Sequence, residues 1–226
     1  MSGMVKILLF AASLAACVPA AAAGAQAACG GCHALSRPDF DRLGITERLE
    51  RKAPPLWYAG NKYRREWLVQ WLQAPTRLLA AGYFPNAAIR STAEGDEPDP
   101  DRLPKHPALS RAEAESVADE LMAKKPHDAL IAAARYEPGS VNRRMGAMDF
   151  GKFKGCQACH QDEPGKGGLS GPELYTAWQR LTPEYIVSFI ADPKAWDPNT
   201  IMPRMEMNDA AISKLADYLK LIGGGQ

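Results

Sequence analysis

Two five-residue stretches hold the residues whose types and spacing could do chemistry: Cys29-Gly30-Gly31-Cys32-His33 and Cys156-Gln157-Ala158-Cys159-His160. Together they use four of the five cysteines and two of the four histidines. The pattern Cys-x-x-Cys-His is the signature of covalent haem attachment. Thiols three residues apart on one helical turn reach the two vinyl groups of a haem, and the adjacent histidine faces the iron. A zinc site or a disulfide pair is the competing reading, but zinc wants further Cys or His ligands near by and neither stretch has them. The sequence therefore predicts two covalently bound haem c groups, carried by Cys29, Cys32, Cys156 and Cys159, with His33 and His160 as proximal iron ligands.

The 226-residue chain has room for one large or two small domains. A net charge of +1 and a pI near 7.6 supply no field for a nucleic acid or another polyanion. Residues 1–23 read as a signal peptide, with Lys6, an apolar core opening at Ile7-Leu8-Leu9-Phe10, and small residues through Ala23. Val18-Pro19-Ala20, Ala21-Ala22-Ala23 and Ala25-Gln26-Ala27 are all acceptable cleavage sites. Leu14-Ala15-Ala16-Cys17 offers a second reading, a lipobox whose acylated Cys17 would tie the protein to a membrane. Both readings export the chain, so the expected location is the periplasm, free or lipid-anchored. Neither leaves a cysteine pair for a structural disulfide, and the haems are then the internal staples.

The elements that must position the two motifs come in two matching sets. Pro54-Pro55-Leu56 follows the first motif, and Gly171-Pro172-Glu173-Leu174 follows the second. Next come Glu66-Trp67-Leu68-Val69-Gln70-Trp71-Leu72, running to Pro75, and Glu184-Tyr185-Ile186-Val187-Ser188-Phe189-Ile190, running to Pro193. Both put apolar residues at i, i+1, i+4 and i+5, one face of a helix. Ser110 with Glu113 is a capping box that opens a further helix ending before Pro126, and a counterpart starts near Asn208 and ends at Gly223. Almost nothing reads as strand. The expected fold is all-α: a first unit over residues 24–125, a connector over 126–148 with a short helix between His127 and Tyr136, and a second unit over 149–226.

This motif order resembles a class I cytochrome c domain, and the mature chain resembles a diheme cytochrome c built of two such domains in tandem. The resemblance implies that the first and last helices of each unit cross beside the haem. It implies also that the backbone carbonyls of Pro54 and Pro172 support the proximal histidines, and that a methionine followed by proline supplies the second iron ligand. In the second unit Met202-Pro203 stands in that place, with Met205 and Met207 as rivals. The first unit departs from the pattern, because no methionine lies between His33 and Met122. His106-Pro107 stands where Met202-Pro203 stands in the second, so His33 and His106 are expected to ligate the first iron. His127 is the weaker candidate, and a Lys105-ligated or open iron the remaining one.

Thioether ligation stabilises reduced iron relative to a second imidazole, so the first haem is expected at the lower potential. Residues 76–104 are extra to the first unit and contain the acidic run Glu94 to Asp101; they read as a solvated loop or hairpin, or as a docking surface for a basic partner. With both irons saturated and no activated nucleophile or paired carboxylates in sight, the expected function is single-electron transfer between a protein donor and a protein acceptor, free or as the cytochrome subunit of a larger complex. A peroxidase-like or sulfur-compound oxidising haem enzyme, or a gas or redox sensor, would need the first iron open.

Overall fold

The computed structural model describes residues 24–83 and 88–224; the expected signal peptide, Cys17 and the alternative cleavage sites before Ala23 lie outside them. Helix α1 (Ala25–Cys29) runs into the first haem motif, and α2 (Ile45–Leu49) and α3 (Ala59–Lys62) follow. Helix α4 (Arg65–Gln73) buries Leu68 and Leu72, the inward members of its apolar face. The extra segment forms a hairpin of β1 (Ile89–Thr92) and β2 (Gly95–Pro98), antiparallel with Thr92 opposite Gly95. Helix α5 (Arg111–Met122) opens on the expected capping box, Ser110 and Glu113 exchanging bonds, and buries Ala114, Val117, Ala118 and Leu121. It packs on both α4 and α1, and each buried Val or Leu contributes about 1.5–3 kcal/mol.

Helix α6 (Asp128–Ala133) is the short helix expected in the connector. Helix α7 (Arg143–Met148) also falls within 126–148, but it packs on the last helix and continues through a π-turn at Asp149–Phe153 into the second haem motif. The second unit therefore begins earlier than the sequence suggested. A tight hairpin of β3 (Gln161–Glu163) and β4 (Lys166–Gly167) follows the motif. Then come α8 (Ala177–Arg180), α9 (Pro183–Ala191), α10 (Pro193–Trp196) and α11 (Asp209–Ile222). Thr182 and Asn208 cap α9 and α11 with side-chain oxygens.

The two hairpins correct the all-α expectation. Both are local excursions that close on themselves, so helices still form the framework. One constant shift in numbering carries Pro54 onto Pro172, α3 onto α8, and α4 onto α9. The halves meet where equivalent residues pair: Tyr63 bridges Leu181 antiparallel. Arg64 N–H donates to the Arg180 carbonyl at 2.9 Å, and Thr182 N–H donates to the Lys62 carbonyl at 3.1 Å. Buried residues of both halves form one continuous hydrophobic cluster, from Ala25 to Leu219, beside a small one of Phe150, Leu215 and Tyr218.

Candidate functional site

Each motif is a helical turn held by its own backbone: His33 N–H donates to the Cys29 carbonyl and His160 N–H to the Cys156 carbonyl, both at 3.0 Å. The turn places the first cysteine of each motif inward and the second outward. Cys29 is buried and Cys32 exposed; Cys156 is half-buried and Cys159 exposed. All four are free thiols. Burial raises the Cys29 thiol, with Glu120 and Cys32 adding to it, and burial likewise raises Cys156. Beside the first motif, Cys32 and His33 line an open cleft of about 360 Å³ walled by Glu47, Glu50, Arg51 and Lys52.

Both proximal candidates are oriented in the same way. Nδ1–H of His33 donates to the Pro54 carbonyl at 2.7 Å, and Nδ1–H of His160 donates to the Pro172 carbonyl at 2.7 Å. A carbonyl only accepts, so the proton sits on Nδ1 and the lone pair on Nε2, the tautomer a metal ligand needs. Burial lowers both histidines' pKa values, the carbonyl bonds oppose it, and nearby cations (Lys62 for His33, Arg180 for His160) push the same way as burial. Gly171 is required beside the second ring, because a Cβ there would lie 2.5 Å from His160 Cε1.

His106 comes from a stretch without regular structure, yet its place is defined. Leu103 is buried before it, and after it Leu109 N–H ties to the Leu72 carbonyl at the end of α4. The ring is exposed, packs edge-on against Trp71 at 4.6 Å, and accepts no competing partner on Nε2, since Nδ1 bonds the Pro107 carbonyl at 3.0 Å. The ring centroids of His33 and His106 are 6.4 Å apart at an interplanar angle of 62°. Two imidazoles bound to opposite sides of one metal at about 2 Å place their centroids on the order of 6.3 Å apart. The pair fits a haem iron between them.

In the second unit Met202 is half-buried, its N–H donating to Thr200 Oγ1 at 3.3 Å. Met207 packs against both hydrophobic clusters and is spent on the core. His127 lies in the seam between Trp57 and Trp196, each at 4.9 Å, away from the His33–His106 pair. The acidic run is largely committed to its own hairpin: Glu97 pairs with Arg90 at 2.7 Å, Asp96 accepts from Ser91, and Asp99 caps a turn at Asp101. Among the described residues no group of three or more His, Cys, Asp or Glu stands ready to hold a metal ion, which removes the calcium reading of this run.

Sequence reasoning missed the seam residues. Arg51, in a segment to which it assigned no role, reaches Asp197 of the other half at 3.0 Å. Lys62 and Arg180 carried no motif, and only their equivalent positions in the repeat pointed to them.

Residues 142–219 match the family model for cytochrome c oxidase, cbb3-type, subunit III. No curated protein matches the chain, and no solved structure does. The match supports a c-type cytochrome that transfers electrons, rather than an enzyme, and it implies covalently bound haem c. It covers the segment holding Cys156, Cys159, His160, Pro172 and Met202.

Proposed function

We propose that the chain is an exported diheme c-type cytochrome that passes single electrons between two redox proteins. The first haem is held by Cys29 and Cys32 with His33 and His106 on its iron, and the second by Cys156 and Cys159 with His160 and Met202. The observation that carries the reading is the 6.4 Å spacing of two imidazoles whose Nδ1 atoms are both tied to carbonyls. Bound haem supplies the one-electron change; the protein supplies the rest. Pro54 and Pro172 hold the proximal rings as Nδ1–H tautomers. Trp71 and the Leu109–Leu72 bond keep His106 over the end of α4. Six-coordinate irons leave no position for substrate, so the residues around them orient and insulate and do not turn anything over.

The doubling of the pattern supports two tandem units. A second imidazole lowers the potential relative to a thioether, so electrons rest preferentially on the second haem. Intact-mass measurement of the exported, mature protein tests the count: the reading predicts two covalent haems per chain, falling to one in Cys29→Ala/Cys32→Ala. A wild-type mass with a single haem contradicts it.

A further inference from the structure

Lys62 and Arg180 occupy equivalent positions in the two halves, and both stand at the seam, where their carbonyls accept the reciprocal backbone bonds. Each bears on the proximal histidine of its own half. Their surroundings differ. Arg180 is 3% exposed, and its guanidinium is matched to the buried Glu173: one nitrogen donates to the Glu173 carbonyl, and Nε lies 3.6 Å from Oε1. Thr176 fixes that carboxylate through its N–H and hydroxyl. The position equivalent to Glu173 in the first half is Pro55, which carries no charge.

Lys62 accordingly has no carboxylate partner among the described residues. Its Nζ lies instead over three rings, 4.8 Å from Tyr63, 5.7 Å from Tyr185 and 5.9 Å from Tyr58. Aromatic faces stabilise a cation but leave its charge uncancelled. A fixed positive charge near an iron favours the state with one positive charge fewer, the reduced one.

We infer that Lys62 tunes the first haem, holding its potential above what two imidazole ligands alone would give, while the Arg180–Glu173 pair leaves the second haem close to its ligand-set value. The inference rests on the ligation proposed above. Its consequence is a narrower gap between the two centres, so that electrons cross the seam against little driving force in either direction.

Spectroelectrochemical titration of the haem-loaded protein separates the two claims. Lys62→Met is expected to move the first haem's reduction equilibrium about tenfold toward the oxidised form, about 59 mV, with the second haem unchanged. Lys62→Arg is expected to restore the wild-type value. Glu173→Gln is expected to raise the second haem's potential by uncovering Arg180. A first-haem potential unmoved in both Lys62→Met and Lys62→Gln, with both haems still low-spin, overturns the tuning role. An unmoved second haem in Glu173→Gln overturns the compensation. Carbon monoxide binding by the reduced wild type would instead strike at the ligation itself, leaving the measured potentials to judge Lys62 separately.

Discussion

His106 illustrates how much a single side chain can decide when its neighbours hold it from both sides. The ring is exposed, so removing it costs the fold little, and the effect of His106→Ala should fall on the iron: one haem of two becomes high-spin, with the unfolding midpoint nearly unchanged. Gly171 makes the complementary case on the proximal side. Gly171→Val drives carbon into the His160 ring, and the second haem alone should lose its low-spin optical spectrum. The two proximal histidines, the four thiols and the prolines that orient the rings were legible in the sequence because each lies within a short local pattern. The partner of His33 was legible only through the repeat, since nothing within a few residues of His106 marks it as a ligand.

Helices α4, α5, α9 and α11 follow their sequence signals closely, because apolar periodicity and side-chain caps are local properties. Ser110→Ala should cost about 1 kcal/mol of stability in a denaturant titration, through the lost capping box. The hairpins, α2 and α7 were not foreseen. Each depends on something distant or on backbone alone: β1 and β2 pair through main-chain bonds, and α7 is fixed by packing on α11. The connector is likewise fastened at both ends. Asn61 accepts from His127 N–H and donates to Asp128. At the other end Asp217 accepts from Tyr136 Oη–H at 2.7 Å and from Gly139 N–H at 3.0 Å. Tyr136→Phe, which removes one bond to a charged acceptor, should cost about 1–2 kcal/mol.

Across the whole molecule, the seam ties the two halves into one cooperative body: a backbone bridge, the Arg51–Asp197 pair and the rings of Tyr58, Tyr185, Trp196 and His127. His127 makes that body sensitive to acid. Burial lowers its pKa from the ordinary 6.5; the Trp196 backbone carbonyl opposes this, and Arg37 adds to the lowering. Its Nε2 is buried without a partner. The unfolded chain therefore takes up the proton first, so stability is flat above the ordinary value and falls as the pH drops below it. Urea midpoints measured at about pH 7.5 and pH 5.5 should diverge in the wild type and converge in His127→Phe. The central claim concerns the irons, and carbon monoxide tests it most directly. With the loaded, reduced protein, the account predicts no optical change in the wild type or in His127→Ala, and carbon monoxide binding at one haem of two in His106→Ala. Binding by the wild type, or no gain in His106→Ala, would contradict it.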